Sequence, residues 1–257
     1  MSDFVPTPER QKKILSLLAR QGHLSVAEIV EQFSISVATA RRDLESLASQ
    51  GKVQRVHGGV ISVEQAPPEL PILERESEQT EEKVRIGRAA AELIADKETV
   101  FLGSGTTVLE VARNLRNHRS LTVITNSLPV LNMLAGAKEI TVISLGGMLR
   151  DSELSFIGHL TEQALAELRA NKVIIGARAV SLEQGLTNDY LPETQTDRAI
   201  LKVGREVILV ADHSKINRVS TTFLAPLTDV HKLVTDKQTP HGFISALKTR
   251  RINVIVV

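Results

Sequence analysis

The chain has 257 residues, of which 42% are apolar, so it is long enough to bury the cores of one small and one medium domain. It contains no cysteine, which excludes disulfides and thiolate metal sites. Its seven histidines have no ligand-like spacing, so we expect neither a metal ion nor a cofactor. No apolar run approaches the roughly 20 residues of a membrane span, and the first residues lack the apolar core of a signal peptide. We therefore expect a cytoplasmic protein with no membrane partner.

The net charge of +1 hides an uneven distribution of charge along the chain. Residues 36–59 carry four basic residues against two acidic ones, whereas residues 64–85 carry seven glutamates against three basic residues. The acidic stretch contains the sequence APPELP, which is unfavourable for a helix and typical of a linker. We predict a first domain over residues 1–62, a linker over 63–75 and a second domain over 76–257.

Three amphipathic stretches at the start of the chain predict three short helices. Apolar residues recur at helical spacing in TPERQKKILSLLAR (7–20), SVAEIVEQF (25–33) and SVATARRDLESL (36–47). Only the residues SIS lie between the second helix and the third. A short helix, a tight turn and a longer helix with an exposed polar face form the helix-turn-helix pattern.

The third of these helices carries two adjacent arginines. Its apolar stripe, which we expect to pack inward, consists of Val37, Ala40, Leu44, Leu47 and Ala48. Arg42 lies on the opposite side of the helix, and Arg41 lies at the border between the two faces. Ser36 is placed to cap the start of the helix, and Gly51 is placed to end it. Taken alone, the pair favours a surface helix with two solvated arginines.

A small β-hairpin, or wing, is predicted directly after the third helix. In GKVQRVHGGVI (51–61), Arg55 and His57 fall at alternating positions before the pair Gly58-Gly59. Basic side chains are therefore again expected on an exposed face.

Residues 6–60 resemble the winged helix-turn-helix of the DeoR family of bacterial sugar-metabolism regulators. The segment VATARRDLESLASQGKVQRVHGG contains RRDL followed by G-x-x-x-R-x-H-G-G, which is the signature of that family. The resemblance implies that Arg41 and Arg42 face DNA. From the helix geometry we place Arg42 nearer the base edges, where arginine to guanine is the commonest specific contact, and Arg41 nearer a flanking phosphate. The predicted DNA-binding residues are Ser36, Ala38, Thr39, Arg41, Arg42, Arg55 and His57.

The modest size of the basic patch also indicates the oligomeric state. Affinity for double-stranded DNA rises with the number of phosphates that a protein neutralises, so a monomer would bind an operator weakly. We therefore expect a homo-oligomer, either a dimer or a tetramer.

From Lys83 onward, short β-branched runs alternate with helical patterns. Helices are predicted over stretches such as Val108–Leu115 and Leu160–Ala170. Strands are predicted over residues 99–103, 121–125, 140–147, 172–176, 206–212, 232–236 and 252–257. This alternation predicts a mainly parallel sheet with helices on both faces. The predicted fold class is α/β, with an N-terminal winged helix-turn-helix domain followed by a mainly parallel α/β domain.

The loop GSGTT (103–107) joins the first of these strands to a helix. Glycines let backbone N–H groups approach a ligand, hydroxyls donate, and a helix N-terminus favours an anion, so a phosphate would fit there. The loop is not G-x-x-x-x-G-K-[ST], and Val108 stands where G-x-G-x-x-G has its last glycine, so nucleotide motifs are excluded. The alternative is an ordinary tight turn between a strand and a helix.

Three further polar loops follow other predicted strands. TNS (125–127) supplies an amide and two hydroxyls, GGMLR (146–150) supplies flexible backbone and Arg150, and ADHSK (211–215) places Lys215 just past a strand. Each loop alone is an ordinary turn. Because ligands of parallel sheets bind beyond the carboxyl ends of the strands, the loops together predict a polar pocket with anion donors.

These loops also resemble the effector domain of the DeoR family, which covers about residues 76–257 and shares its fold with ribose-5-phosphate isomerase. The resemblance implies that a sugar-phosphate site is lined by SGTT, TNS, GGxxR, GLT (185–187), the Glu193 helix and DHSK. The predicted effector-binding residues are Gly103, Ser104, Gly105, Thr106, Thr107, Thr125, Asn126, Ser127, Gly146, Gly147, Arg150, Arg178 and Lys215.

One position departs from the family pattern. GARA (176–179) stands where the family usually has G-A-D-G, so Arg178 replaces an acid with a cation. The change favours a more anionic or differently shaped effector. The alternative is that Arg178 only pairs with Asp189 or Glu193.

The leading hypothesis is that the protein is a DNA-binding repressor of a carbohydrate-metabolism operon. Under this hypothesis, a phosphorylated sugar modulates the affinity of the repressor for its operator. The chief rival is a sugar-phosphate isomerase with an appended helical domain. Isomerisation needs a positioned acid and base, yet the acid of the relevant loop is replaced by Arg178. Residues 212–214 are adjacent in sequence and favour a loop over a triad, and no G-x-S-x-G elbow occurs. We therefore expect no catalytic residues.

A third possibility is a protein–protein adaptor built on a winged helix. It would leave Arg41, Arg42 and Arg55 without anionic partners. A salt titration of DNA binding distinguishes it from the leading hypothesis.

Overall fold

The computed structural model of the protein describes residues 6–21, 23–50, 52–56, 58–62 and 64–257. Its N-terminal part consists of three helices and a small antiparallel sheet with strand order β1–β3–β2. The helices are α1 (Thr7–Gln21), α2 (Val26–Phe33) and α3 (Val37–Ser49), and the strands are β1 (His23–Ser25), β2 (Val53–Val56) and β3 (Gly59–Ser62). The predicted helix-turn-helix and wing are confirmed.

Side-chain caps and a continuous apolar core hold this domain together. Ser25 and Glu28 form a reciprocal capping box at the start of α2. Ser36 accepts a hydrogen bond from the Thr39 N–H at 3.2 Å and thereby caps α3. The core consists of Ile14, Leu18, Leu24, Ile29, Ala40, Leu44, Leu47, Val53 and Val60.

The apolar stripe predicted for α3 is wrong at one position. Ala40, Leu44 and Leu47 are fully buried and Ala48 is half-buried, but the side chain of Val37 is 48% exposed. Val37 is the first residue of the helix, and helical side chains lean toward the N-terminus. Its side chain therefore projects past the end of the helix instead of into the core.

The segment after the wing packs against the second domain. Strand β4 (Glu64–Gln65) pairs in parallel with residues 218–219, and the Ala66 N–H donates to the Val219 carbonyl at 2.9 Å. Helix α4 (Ile72–Arg75) follows, and the buried Ile72 donates its N–H to the Ser152 carbonyl at 2.7 Å. The stretch that we predicted as a linker is thus fixed to the second domain at both of its ends.

The second domain contains six further helices around one large sheet and several short strands. The helices are α5 (Thr80–Ala91), α6 (Thr106–Leu115), α7 (Leu128–Leu134), α8 (His159–Ala166), α9 (Leu191–Leu201) and α10 (His241–Thr249). The large sheet contains β5 (Thr99–Leu102), β6 (Leu121–Thr125), β7 (Ile140–Ser144), β10 (Ala170–Ile175), β13 (Gly204–Val210), β16 (Lys232–Thr235) and β17 (Asn253–Val256). The short strands are β8 (Met148–Arg150), β9 (Ser155–Ile157), β11 (Ala179–Ser181), β12 (Gly185–Asn188), β14 (Arg218–Val219) and β15 (Thr222–Ala225). In the part of the chain that is described, none of the helices has the length and apolar composition needed to cross a membrane.

The large sheet is parallel throughout and has an apolar core on each face. Val100 and Leu102 of β5 pack with α5, α6 and α7, whereas Phe101 between them packs with α8, α9 and α10. The same alternation recurs in β10 and β13, because successive side chains of a strand point to opposite faces. The predicted α/β domain with a mainly parallel sheet is confirmed.

The order of the strands reverses at one point of the sheet. The spatial order is β17–β16–β13–β10–β5–β6–β7, so the chain runs outward from β5 through β6 and β7, and then resumes on the other side of β5 with β10. Such a reversal leaves a crevice at the carboxyl ends of the two central strands, where open α/β sheets bind their ligands.

The helix predicted over Leu160–Ala170 is shorter than expected. Helix α8 ends at Ala166, and Ala170 begins β10, where it pairs with Gly204 of the neighbouring strand. The intervening residues are good helix formers, so local propensity did not show the end of the helix. Pairing within the sheet decides their conformation.

Candidate DNA interface and effector cavity

The residues predicted to contact DNA lie on α3 and on the wing. Those with exposed side chains are Ser36, Ala38, Arg41, Arg42 and Arg55, and Thr39 is half-buried. An exposed ion pair of 3.0 Å between Arg55 and Glu45 joins the wing to α3. Within the described part of the chain, neither Arg41 nor Arg42 forms an ion pair, so both guanidinium groups are available for phosphates or bases. His57 lies outside the described residues.

A buried ion pair fixes the helix that carries these arginines. Arg10 of α1 donates from Nε to Asp43 Oδ2 at 2.6 Å and from Nη2 to Asp43 Oδ1 at 3.1 Å, and each side chain is only 4% exposed. Asp43 follows Arg42 in the sequence, so the pair sets the rotation of α3 about its axis. Sequence reasoning treated Asp43 only as one acidic residue among others. The available signal was its position beside Ala40 and Leu47 on the apolar stripe.

A cavity of about 80 Å³ lies at the point where the strand order reverses. Three neighbouring strands contribute its central loops, which are residues 104–108 after β5, residues 176–178 after β10 and residues 210–215 after β13. Because β5, β10 and β13 are adjacent in the sheet, their loops meet although they are far apart in sequence. The structure therefore brings Ser104, Gly105, Thr106, Thr107, Arg178 and Lys215 of the predicted effector-binding residues to one cavity.

The turn after β5 has the geometry of an anion site. Gly105 stands at the N-cap of α6 with a φ of 107°, a backbone conformation that favours glycine. Among the described residues, no side chain caps α6, so the first N–H groups of this helix point toward the cavity without a capping acceptor. Burial lowers the pKa of Lys83 and of Lys215, two ammonium groups that line the same cavity. An anion bound there would favour the charged form of both lysines.

The TNS loop does not line this cavity. Thr125 donates its hydroxyl to the Leu102 carbonyl at 2.7 Å, and Ser127 accepts from the Val130 N–H at the start of α7. Asn126 donates from Nδ2 to the Phe156 carbonyl at 3.1 Å. These groups follow β6, which lies beyond β5 on the side away from the cavity, and they support the backbone there.

Three predicted glycines are also placed outside the cavity wall. Gly103 lies one residue before the lining loop and donates its N–H to the Ile174 carbonyl at 2.9 Å. Gly146 and Gly147 follow β7, which is the edge strand farthest from β10 on that side. At Gly147 the φ is 146°, and a Cβ would lie 2.2 Å from Thr161 Oγ1. Close approach of α8 therefore requires glycine at this position.

Three arginines surround one carboxylate beside the cavity. Glu69, from the segment between β4 and α4, lies 3.2 Å from Arg75 Nη1, 3.7 Å from Arg150 Nη2 and 3.9 Å from Arg178 Nη1. Arg150 also pairs with Glu193 and lies 4.7 Å above the ring of Tyr190. Sequence reasoning found Arg150 and Arg178, but it missed Glu69 and Arg75 because they lie in the segment that we predicted as a linker.

Buried carboxyl groups also line the cavity, next to these arginines. Burial raises the pKa of Glu193 to about 9, with Asp197 adding to the shift and Arg150 opposing it. Burial also raises the pKa of Asp197 to about 7, although Asn188 donates a hydrogen bond to it at 2.8 Å. Glu153 pairs with Arg75, and burial raises its pKa as well. Within the described residues, no cluster of three or more histidines or carboxylates is arranged to hold a metal ion.

Models of known protein families match both the N-terminal and the C-terminal part of the chain. Residues 10–66 match the model of the DeoR-like helix-turn-helix domain, and residues 78–237 match that of the DeoR C terminal sensor domain. The chain belongs to the DeoR family of transcriptional regulators. It is therefore a DNA-binding regulator with a sensor domain, and that domain supplies most of the residues that line the cavity.

Two bacterial repressors are similar to this chain over almost its whole length. Identity is 38% to transcriptional repressor AccR of Agrobacterium fabrum (strain C58), covering 92% of both chains. Identity is 35% to the glycerol-3-phosphate regulon repressor of Escherichia coli (strain K12), covering 96% of this chain and 97% of that one. Among solved structures, ribose 5-phosphate isomerase A of Methanocaldococcus jannaschii matches with a TM-score of 0.38 and 20% identity, over 52% of this chain and 53% of that chain.

Proposed function

We propose that this DeoR-family regulator represses a carbohydrate-metabolism operon and that a phosphorylated sugar, bound at the start of α6, modulates its affinity for the operator. The observation that carries the proposal is the turn Gly105–Thr107, which presents backbone donors without a capping acceptor to a cavity that also contains two lysines. The similar glycerol-3-phosphate regulon repressor is named for a phosphorylated three-carbon polyol, which supports this class of effector.

The effector's phosphate supplies most of the binding energy in this proposal. The helix dipole and charge-assisted hydrogen bonds from Thr106 and Thr107 each contribute on the order of 1 kcal/mol. Lys83 and Lys215 add two cations in a setting that is largely screened from solvent. A sugar without phosphate forfeits these interactions, so the anion dominates affinity and the remaining lining residues select the sugar.

The DNA-binding unit is proposed to be a homo-oligomer that presents two or more copies of α3. Helix α4 and the sensor domain together offer exposed apolar area for such contacts. The side chains concerned are each more than half exposed and are those of Leu73, Met148, Leu160, Leu191 and Phe223. A second copy of the chain doubles the number of phosphates neutralised and matches a two-fold operator. Sedimentation of the full chain, alone and with DNA from upstream of its own gene, measures the number of copies bound.

The test of the effector site is Thr106→Val, which removes one hydroxyl at nearly constant volume. A thermal-shift screen of phosphorylated sugars and their free counterparts identifies a binder, and calorimetry measures its affinity for both proteins. We expect the variant to weaken the phosphorylated binder at least several-fold, because a donor at the anion is lost. The matched control is Thr141→Val at an exposed position of edge strand β7, which should bind like the parent.

Two results would contradict the assignment. One is a free sugar that binds as tightly as its phosphate. The other is Thr106→Val binding the phosphate as tightly as the parent and the Thr141 control do. Either outcome moves the site away from the start of α6.

A further inference from the structure

The carboxylate of Glu69 occupies a position that an anionic ligand would take. It lies within 4 Å of the guanidinium groups of Arg75, Arg150 and Arg178, at 3.2, 3.7 and 3.9 Å. Glu69 and two of these arginines line the same cavity as the turn at the start of α6. The cavity therefore has two anion positions, one at the α6 turn and one at the three arginines.

The pairing of Glu69 with Arg178 is incomplete. The side chain of Arg178 is only 6% exposed, and its Nε and Nη2 atoms are buried without a hydrogen-bond partner in the described residues. Its contacts to Glu69 at 3.9 Å and Asp189 at 3.6 Å are ion pairs that are too long for hydrogen bonds. A buried guanidinium with unused donors favours a ligand that can bind them, because leaving such donors unpaired is costly.

Charge and volume indicate that Glu69 has to leave when an effector with a second anion enters. An anion added beside Glu69 would meet the like charge of the Glu69 carboxylate at the same three guanidinium groups. The cavity measures about 80 Å³, whereas ligand pockets hold roughly 300 Å³ or more. Moving the Glu69 side chain aside removes the repulsion and enlarges the space at the same time.

We propose that Arg75, Arg150 and Arg178 form a second anion subsite that Glu69 fills from within the chain, and that the effector is a phosphorylated sugar acid whose carboxylate displaces Glu69. This inference rests on the proposed function, since the phosphate still binds at the α6 turn. The effector's carboxylate replaces that of Glu69 among the three guanidinium groups. Unlike Glu69, which stays 3.9 Å from Arg178 Nη1, it is free to move within hydrogen-bond distance of the Arg178 donors that lack partners.

A short segment of the chain connects Glu69 to the DNA-binding domain. Glu69 lies four residues after β4, and only residue 63 separates β4 from the wing strand β3. Moving Glu69 therefore changes the segment that ties the wing to β14 of the sensor domain. The subsite thus couples the identity of the effector to the placement of the wing.

The test compares ligands that differ only in the second anion. The pairs are glycerol 3-phosphate with 3-phosphoglycerate, ribitol 5-phosphate with 5-phosphoribonate, and glucitol 6-phosphate with 6-phosphogluconate. Each pair is titrated by calorimetry into the full-length protein, into Glu69→Gln and into Glu74→Gln. Glu74 is an exposed glutamate of α4 and serves as the matched control.

In at least one pair we expect the acid to bind the parent at least tenfold more tightly than its polyol. Glu69→Gln should tighten the acid by about a further tenfold and change the polyol less than threefold, whereas Glu74→Gln should match the parent. Arg178→Gln should abolish the preference for the acid. Circular dichroism checks that Arg178→Gln is folded. If Arg178→Gln is unstable, the comparison of Glu69→Gln with the parent decides whether the second anion subsite exists.

Equal affinities for acid and polyol in every pair, in both the parent and Glu69→Gln, would overturn the subsite but leave the phosphate site intact. A thermal-shift screen in which no phosphorylated compound binds either protein would instead contradict the proposed function itself. The two failures are therefore distinguishable.

Discussion

Replacing Arg10 by methionine removes one half of the buried pair beneath the recognition helix. Asp43 then keeps a carboxylate that is 4% exposed and has lost hydrogen bonds of 2.6 and 3.1 Å. Breaking such a pair costs roughly 3 to 5 kcal/mol, because the remaining charge is buried without a partner. A domain of about 60 residues has roughly 3 to 9 kcal/mol of total stability at ordinary values per residue. Arg10→Met should therefore unfold a large part of the N-terminal domain at growth temperature.

Hydrogen exchange followed by mass spectrometry measures this effect region by region. In Arg10→Met we expect peptides from α1 and α3 to exchange much faster, while those from β5 and β10 keep their protection. The double variant Arg10→Met with Asp43→Leu removes both charges and fills the space with apolar groups, so it should regain most of the lost protection. Normal protection of α3 in the single variant, or no recovery in the double one, would refute the role that we assign to the pair.

Three further predictions concern DNA, pH and catalysis. Measured by fluorescence anisotropy, Arg42→Ala should weaken operator binding by roughly 1 to 3 kcal/mol and reduce sequence preference, whereas Arg55→Ala should mainly reduce the salt dependence of binding. If Arg42→Ala binds the operator as tightly as the parent, Arg42 does not lie in the major groove. The pKa of Glu193 rises from 4.5 to about 9 on folding, so at intermediate pH the folded chain keeps a proton that the unfolded chain releases. Thermal stability should therefore fall as the pH rises between about 5 and 9. Glu193→Gln should make thermal stability less dependent on pH, whereas Glu139→Gln, at an exposed site, should behave like the parent. The same dependence of thermal stability on pH in the parent and both variants would show that Glu193 titrates normally. Incubation with ribose 5-phosphate between about pH 6 and 9 should yield no ketose above background, and isomerisation that is lost in Lys215→Met would establish an enzyme.

Much of the architecture could be predicted from local patterns. The alternation of β-branched runs with helical stretches predicted a parallel sheet, and the RRDL helix followed by a glycine-containing hairpin predicted the winged helix-turn-helix. Errors arose where the neighbours of a residue decide its state. Val37 fits an apolar stripe but projects past the end of α3, and Ala170 fits a helix but pairs with Gly204 in the sheet.

The cavity could be predicted only in part, because a sequence does not show the order of the strands. Loops after β5, β10 and β13 meet because those strands are adjacent, whereas the TNS loop after β6 and the glycines after β7 lie on the other side of β5. Glu69 and Arg75 lie in a Pro-containing stretch that is typical of a linker, and only its docking through β4 and α4 brings them to the cavity. Tertiary contacts of this kind have no local signature.

We predict that an anion bound at the start of α6 changes the affinity of α3 and the wing for DNA. The most direct measurement is the affinity for DNA from upstream of the protein's own gene, determined by fluorescence anisotropy with and without a phosphorylated sugar that the thermal-shift screen has identified. We predict that the ligand changes the operator affinity of the parent at least tenfold and that Thr106→Val, whose affinity without ligand is normal, responds much less at the same ligand concentration. If the bound ligand leaves the operator affinity unchanged, or if Thr106→Val responds fully, an anion at the start of α6 does not control DNA binding.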